Sequence, residues 1–292
     1  MAHEGTQHAN PFDPNHLFGH IQDSEQFDVP KFLAPPEGIV KIPQPFITDT
    51  TEGRFHGFHV TKFMLIELVV ALVIALVFIR LANRMRKSDS PKGKRWNLFE
   101  AMLVFLRDQV ARPAIGHHDA DAFLPFLWTL FFFVLGCNLF GLLPWAGSPT
   151  GALATTATLA VITFAIVVGA GMKRMGFVGY FKALVPHLDL PWHLWIPMVL
   201  LIFPIELGGL LIKHFVLAIR LLANMLGGHM VLIVVMSFIV ATAGQMVFWG
   251  VMPASVLGAT ALCLLELFVG FLQAYIFTFL SALFIGMAVH PH

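Results

Sequence analysis

A chain of 292 residues that is 57% hydrophobic and only 12% charged, with a mean hydropathy of +0.78, is too apolar for a water-soluble domain and reads as an all-α polytopic membrane protein. The formal net charge of +1 hides an asymmetry. Arg80, Arg84, Arg86, Lys87, Lys92, Lys94 and Arg95 crowd one short segment, whereas the C-terminal part of the chain holds only Lys213 and Arg220, and basic clusters beside a span mark its cytoplasmic side.

Residues 1–60 carry Pro11, Pro14, Pro30, Pro35, Pro36, Pro43 and Pro45, with no apolar run long enough for a signal-peptide core, and are expected to be an irregular arm outside the membrane. Residues 61–292 form the helical membrane domain. The first span is expected from Phe63 to Leu81, entered past Lys62 and left through Arg84, Arg86 and Lys87. This places the N-terminus outside and the basic loop in the cytoplasm. Glu67 falls near the outer end of the span.

Between Trp96 and Arg112, Phe99, Met102, Leu103, Leu106 and Val110 recur at helical spacing while Glu100, Arg107, Asp108 and Arg112 occupy the rest, the pattern of an amphipathic helix lying at the interface. Phe123 to Leu143 and Ala152 to Met172 are each long enough to cross, joined by Pro144, Gly147, Ser148, Pro149 and Gly151. Lys173 and Arg174 return the chain to the cytoplasm.

Two segments then exceed any ordinary span. As helices, Leu194 to Val240 would extend roughly 70 Å and Ala254 to Val289 roughly 54 Å, against a hydrocarbon core of about 30 Å. They must tilt, kink or break, with Pro204, Gly208 and Gly209, and Gly227 and Gly228 as places to bend, or form a steeply tilted hairpin closing between Gly244 and Pro253. The expected architecture is five transmembrane helices plus one interfacial helix.

Downstream of Asp189 the only fully charged side chains are Glu206, Lys213, Arg220 and Glu266. The first three are spaced by seven, so they lie within about 40° of one another on a helix of 3.6 residues per turn. Arg220, which cannot discharge, is costly at such a position and is the leading functional residue.

The run Arg220-Leu-Leu-Ala-Asn224-Met-Leu-Gly-Gly228-His229 resembles the signature of the a subunit of F-type ATP synthases, and the resemblance covers roughly residues 60–290. Supporting matches are Asn138-Leu-Phe-Gly-Leu-Leu-Pro144, Ser148-Pro-Thr150, Glu206 fourteen residues before the arginine, and Glu266 seven residues before Gln273. The resemblance implies a stator subunit facing a ring of c subunits, with two aqueous half-channels leading to and from the ring carboxyls and Arg220 between them. It implies further partners in the peripheral-stalk b subunits and the rest of the synthase, in the bacterial cytoplasmic membrane with the C-terminus inside. No nucleic acid is expected as a partner.

On that reading Asn224, one turn beyond Arg220, holds a water or orients the guanidinium, the alternative being an interhelical hydrogen bond. His229 and Glu266 form an acid/base pair in the outer half-channel or a structural polar pair; many bacterial members carry the two residue types in the reverse assignment, which suggests that the side chains meet. Gln273 lines a channel, partners Arg220, or simply packs. Glu206 lines the inner half-channel, while Lys213 snorkels or pairs with it. His214 points roughly 100° from Lys213, and His187, Asp189 and His193 fall in a cytoplasmic loop.

The chain shows no GxxxxGK[ST] loop, no GxSxG elbow and no CxxC pair, so it is expected to carry no catalysis alone and no cofactor. Cys137 and Cys263 read as buried hydrophobes, Ala154, Ala157, Gly258, Ala261, Gly270 and Ala274 as helix-packing positions, and the histidines lack metal-ligand spacing. A haem-ligating redox subunit and a secondary transporter are the rival classes. The first needs paired histidines where the spans offer His214 and His229, and the second internal repeats that are not evident.

Overall fold

The computed structural model describes residues 23, 26–28, 39–42, 60–85, 94–143, 147–183 and 192–290. Arg86, Lys87 and Lys92, Pro144, His187 and Asp189, most of the arm, and Pro291 with His292 lie outside the described residues.

The architecture is all-α and polytopic. In chain order the helices are α1 (Lys62–Met85), α2 (Lys94–Phe105), a wide π turn (Leu106–Ala111), α3 (Arg112–Ile115), α4 (Ala120–Gly141), a short 3-10 turn (Pro149–Gly151), α5 (Leu153–Met175), α6 (Phe177–Ala183), α7 (Trp192–Ala241) and α8 (Phe248–Val289). Of these, α1, α4, α5, α7 and α8 are long and apolar enough to cross a bilayer, the five expected spans.

α7 and α8 are unbroken at 50 and 42 residues, so of the alternatives open in the sequence the chain adopts the hairpin of two long helices and does not break at Pro204 or the glycine pairs. Two expectations change. α8 begins at Phe248 rather than Ala254, and Pro253 sits inside its second turn, where the missing N–H costs one bond of the ladder without ending the helix. α7 begins at Trp192, so His193 belongs to its first turn instead of a loop. At 1.5 Å per residue both helices are about twice the thickness of a hydrocarbon core, so they cannot run upright through it.

The chain divides into two compact units. The first comprises Met1–Leu68, Cys137–Ala152 and Ala223–Phe271. Within it β1 (Gln26–Asp28) pairs antiparallel with β2 (Ile39–Lys41), Ile42 is buried, and Asp23 accepts a hydrogen bond from the Phe63 N–H at the start of α1 (3.3 Å). The arm is therefore not irregular throughout: a carboxylate from it meets the free N–H groups at a helix start. The α7–α8 turn, with Gly244 at φ 85°, also belongs to this unit.

The second unit comprises Val69–Gly136, Leu153–Leu222 and Leu272–His292. Its core is assembled from Leu106, Val110, Ile115, Leu127, Phe131, Val167, Leu221, Phe277 and Ile285. The expected amphipathic segment contributes its apolar side to this core, with Trp128 Nε1 donating to the Leu103 carbonyl at 3.2 Å. Its wide turn precedes Pro113, whose ring and missing N–H are incompatible with a regular α-turn onto the residue four before it. On the polar side Asp108 bridges Arg107 (2.9 Å) and Arg112 (3.0 Å), and the Arg107 hydrogen bond holds the Asp108 carboxyl below the usual carboxylate range.

Gly286 lets the end of α8 lie directly on α3, because a Cβ there would collide with the Ala114 carbonyl oxygen and come within 3.0 Å of its carbon. Backbone cannot swing aside as a side chain can. Gly286→Ala should therefore destabilise the protein by about 1–3 kcal/mol, read as a lowered midpoint of thermal inactivation for the purified complex; an unchanged midpoint would show that α3 yields freely.

Candidate functional site

α7 carries the charged stripe, and the structure leaves that stripe uncovered. Glu206, Lys213, Arg220 and Asn224 are all exposed, while His214, Leu217, Ala218 and Leu221 on the other side of the helix are buried. Around the charges the exposed surface is aliphatic and aromatic: Ile205 is 62% accessible, Ile212 61% and Phe215 63%. Among the described residues Arg220 has no hydrogen bond or ion pair, Glu206 and Lys213 do not pair with each other, and Asn224 makes no side-chain hydrogen bond. A guanidinium on an apolar helix face cannot shed its charge by losing a proton. In a membrane such a charge calls for an anionic or strongly polar partner, and the described residues supply none.

His214 has a different setting. Its ring is buried, with Nδ1 2.9 Å from the Leu210 carbonyl, edge-on to Phe164 and tilted against Phe284. It belongs to the packing of the second unit, on the side of α7 away from Lys213.

His229 of α7 and Glu266 of α8 lie in the first unit and meet directly, Nδ1 to Oε1 at 3.1 Å, with side chains only 13% and 9% accessible. The antiparallel course of the two helices after the Gly244 turn provides the pairing, and Gly258 of α8 correspondingly lies opposite Val235 of α7. Gly228 provides the space: a Cβ there would stand 2.8 Å from Glu266 Oε1 and 3.0 Å from its carboxyl carbon. A carboxylate buried among apolar side chains is tolerable because the imidazole shares its charge or its proton. Either group can take a proton from the other, so the pair can hold and pass one.

Gln273 stands one heptad beyond Glu266 on α8, in the second unit, and is buried at 7% accessibility. Among the described residues no hydrogen bond joins it to Arg220. The described residues contain no group of three or more histidine, cysteine or acidic side chains able to hold a metal ion.

In the sequence Asn138, Ser148 and Thr150 stand out only through the family resemblance. In the first unit they form one buried hydrogen-bonded chain ending on the Gly270 carbonyl of α8. Polar side chains on both sides of a proline- and glycine-rich turn between two spans were the signal available. The role of Gly228 in admitting Glu266 had no such signal, since only the fold brings those positions together.

Five apolar helices, an uncovered cationic face and a buried histidine–carboxylate pair define a polytopic membrane protein equipped to handle ions. The comparisons with known proteins give the class a family. Residues 64–286 match the ATP synthase A chain family. The chain is 39% identical over 284 residues to ATP synthase subunit a of Chloroherpeton thalassium, covering 95% of this chain and 78% of the relative. It is 40% identical over 236 residues to ATP synthase subunit a of Myxococcus xanthus (80% and 75% covered), and 38% identical over 284 residues to ATP synthase subunit a 2 of Chlorobaculum tepidum (93% and 72% covered). The chain belongs to the ATP synthase A chain family. It is an integral membrane protein of the proton-translocating membrane sector of that synthase.

Gly228→Ala should push the Glu266 carboxylate away from His229 and lower proton-driven ATP synthesis in membrane vesicles severalfold. Gly258→Ala, whose Cβ would stand 3.8 Å from Val235 in ordinary contact, should not. Equal rates in the two variants would mean that the close approach of Glu266 to Gly228 is irrelevant to turnover.

Proposed function

We propose that this chain is the stator half of the rotary proton path, the surface against which a ring of carboxyl-bearing c subunits turns. The observation that carries the reading is Arg220, exposed on an otherwise apolar face of α7 without an ion-pair partner among the described residues. A ring carboxylate supplies what that face lacks.

The chemistry follows from a permanent positive charge. As a protonated ring carboxyl approaches, the guanidinium favours its ionised form and expels the proton, then holds the carboxylate through its planar donor fork until the ring moves on. The same charge repels a proton travelling straight across, which keeps the two half-channels separate. On the outer side His229 and Glu266 deliver protons to the ring, with Gln273 lining the route. On the inner side Glu206 lines the exit, Asn224 orients the guanidinium one turn away, and Lys213 stands between Glu206 and Arg220 on the stripe. Each proton moving through 100 mV yields about 2.3 kcal/mol, so several are needed for each ATP made elsewhere in the complex. This chain contributes no catalytic group to that step.

The basic segment around Lys94 and Arg95, with Lys173 and Arg174, favours an orientation in which residues 1–60 and the N-terminus lie outside the bacterial cytoplasmic membrane and the C-terminus inside. Residues 61–292 form the membrane domain, with the peripheral-stalk b subunits and lipid covering other exposed apolar surface.

Arg220→Ala should abolish coupled ATP synthesis while leaving the complex assembled, and Arg220→Lys should not restore it, because an amine can deprotonate and lacks the fork. Assays of ATP-driven proton pumping in membrane vesicles decide the matter. Near-normal pumping by the alanine variant would refute the proposed role.

A further inference from the structure

The buried polar chain beside Glu266 is fully directional. Asn138, Ser148 and Thr150 are 3%, 6% and 0% accessible. The Asn138 amide nitrogen donates to the Gly270 carbonyl at 2.9 Å, and its amide oxygen accepts from the Thr150 hydroxyl at 2.7 Å. Thr150 has one proton and gives it to Asn138, so its 2.7 Å contact with Ser148 must be a hydrogen bond donated by Ser148. The order is therefore Ser148 to Thr150 to Asn138 to Gly270. Reversing the amide would set acceptor against acceptor at the Gly270 carbonyl, so that carbonyl fixes the direction of the whole chain.

Gly270 lies one helical turn beyond Glu266 on α8. It has no side chain to intervene, and a Cβ there would come 3.3 Å from that of Asn138. On another side, the same stretch of α8 brings Glu266 over Gly228 and onto His229. The height and rotation of α8 at this level are thus set by two contacts: one from α4 through a backbone carbonyl, the other from α7 through the carboxylate itself. The chain is a poor proton conduit, since a carboxamide passes a proton only through a disfavoured tautomer, and its far end is a backbone carbonyl.

We propose that Asn138, locked in orientation by Thr150 and Ser148, is a positioning residue that holds α8 at Gly270 so that Glu266 meets His229 at hydrogen-bonding distance. The proposal rests on the reading of His229 and Glu266 as a proton relay. It assigns Ser148 and Thr150 a role in tuning proton uptake without contact with the proton.

The test uses inverted vesicles containing the complete synthase, in which ATP synthesis after acid–base jumps is measured against lumenal pH to give a half-saturating proton concentration and a maximal rate. Thr150→Val keeps the shape and removes the hydroxyl. It should change the half-saturating proton concentration by about fivefold, the equivalent of the one hydrogen bond that orients Asn138, with the maximal rate much less affected, and Thr150→Ser should restore the original value. A merely structural contact would lower the amount of assembled complex and the maximal rate together, leaving half-saturation in place; that result overturns the proposal. If Thr150→Val does not assemble, Ser148→Ala, which removes only the outermost donor, should move half-saturation in a smaller degree, and an unchanged value overturns the proposal equally. Glu266→Gln in the same assay separates the two claims. Half-saturation moved by Glu266→Gln but not by the Thr150 or Ser148 variants defeats the positioning role alone, whereas no change with Glu266→Gln defeats the relay reading.

Discussion

An uncompensated guanidinium on an apolar helix face is the constraint around which this molecule is organised. Arg220 cannot neutralise itself, and the helix that bears it buries its opposite side in the protein's core through Leu217, Ala218 and Leu221. The charge is therefore turned outward into a surface of Ile205, Ile212, Phe215 and Val216, where neither lipid tails nor this chain's own described side chains supply an anion. On the function proposed above, a moving carboxyl-bearing partner would satisfy the charge intermittently, and intermittent pairing is what a rotary path requires. A permanent internal ion pair would stabilise the helix and disable the device.

The remaining polar groups show the opposite strategy. His229 and Glu266 are turned inward and paired, Asn138 is saturated by Thr150 and Gly270, and Asp108 is bridged by two arginines at the margin of the membrane domain. Glycine permits the close approaches: Gly228 makes room for a carboxylate, Gly270 for an amide, and Gly286 for another helix's backbone. In a bilayer, where apolar side chains gain little by leaving lipid, such contacts and hydrogen bonds carry helix association.

Much of this is legible in the sequence because membrane physics is strict. Twenty-residue apolar runs, flanking basic clusters and a seven-residue charge spacing each have few interpretations, so the five spans and the stripe through Arg220 emerge without a structure. The points that differ involve local choices of small energy. Pro253 reads as part of a turn but is accommodated in the second turn of α8; the π turn before Pro113 interrupts the segment that reads as one amphipathic helix; and the pairing of Gln26–Asp28 with Ile39–Lys41 is too short to show a period. The positioning chain on Gly270 was hidden for another reason: Asn138 and Gly270 are 132 residues apart, and nothing in either segment names the other. His229 and Glu266 were brought together only through their apparent exchange between helices.

What touches the exposed side of α7 decides whether that face is a stator surface. In a variant of the complete synthase with Cys137 and Cys263 replaced by alanine, Val216→Cys lies one turn before Arg220 on that side, whereas Leu217→Cys lies on the buried side. With a second cysteine placed one turn from the ring carboxyl, oxidation should join Val216→Cys, and not Leu217→Cys, to a c subunit. Free labelling of Val216→Cys by a lipid-soluble maleimide, with no disulfide to any ring subunit, would contradict the claim that the Arg220 face is the stator surface.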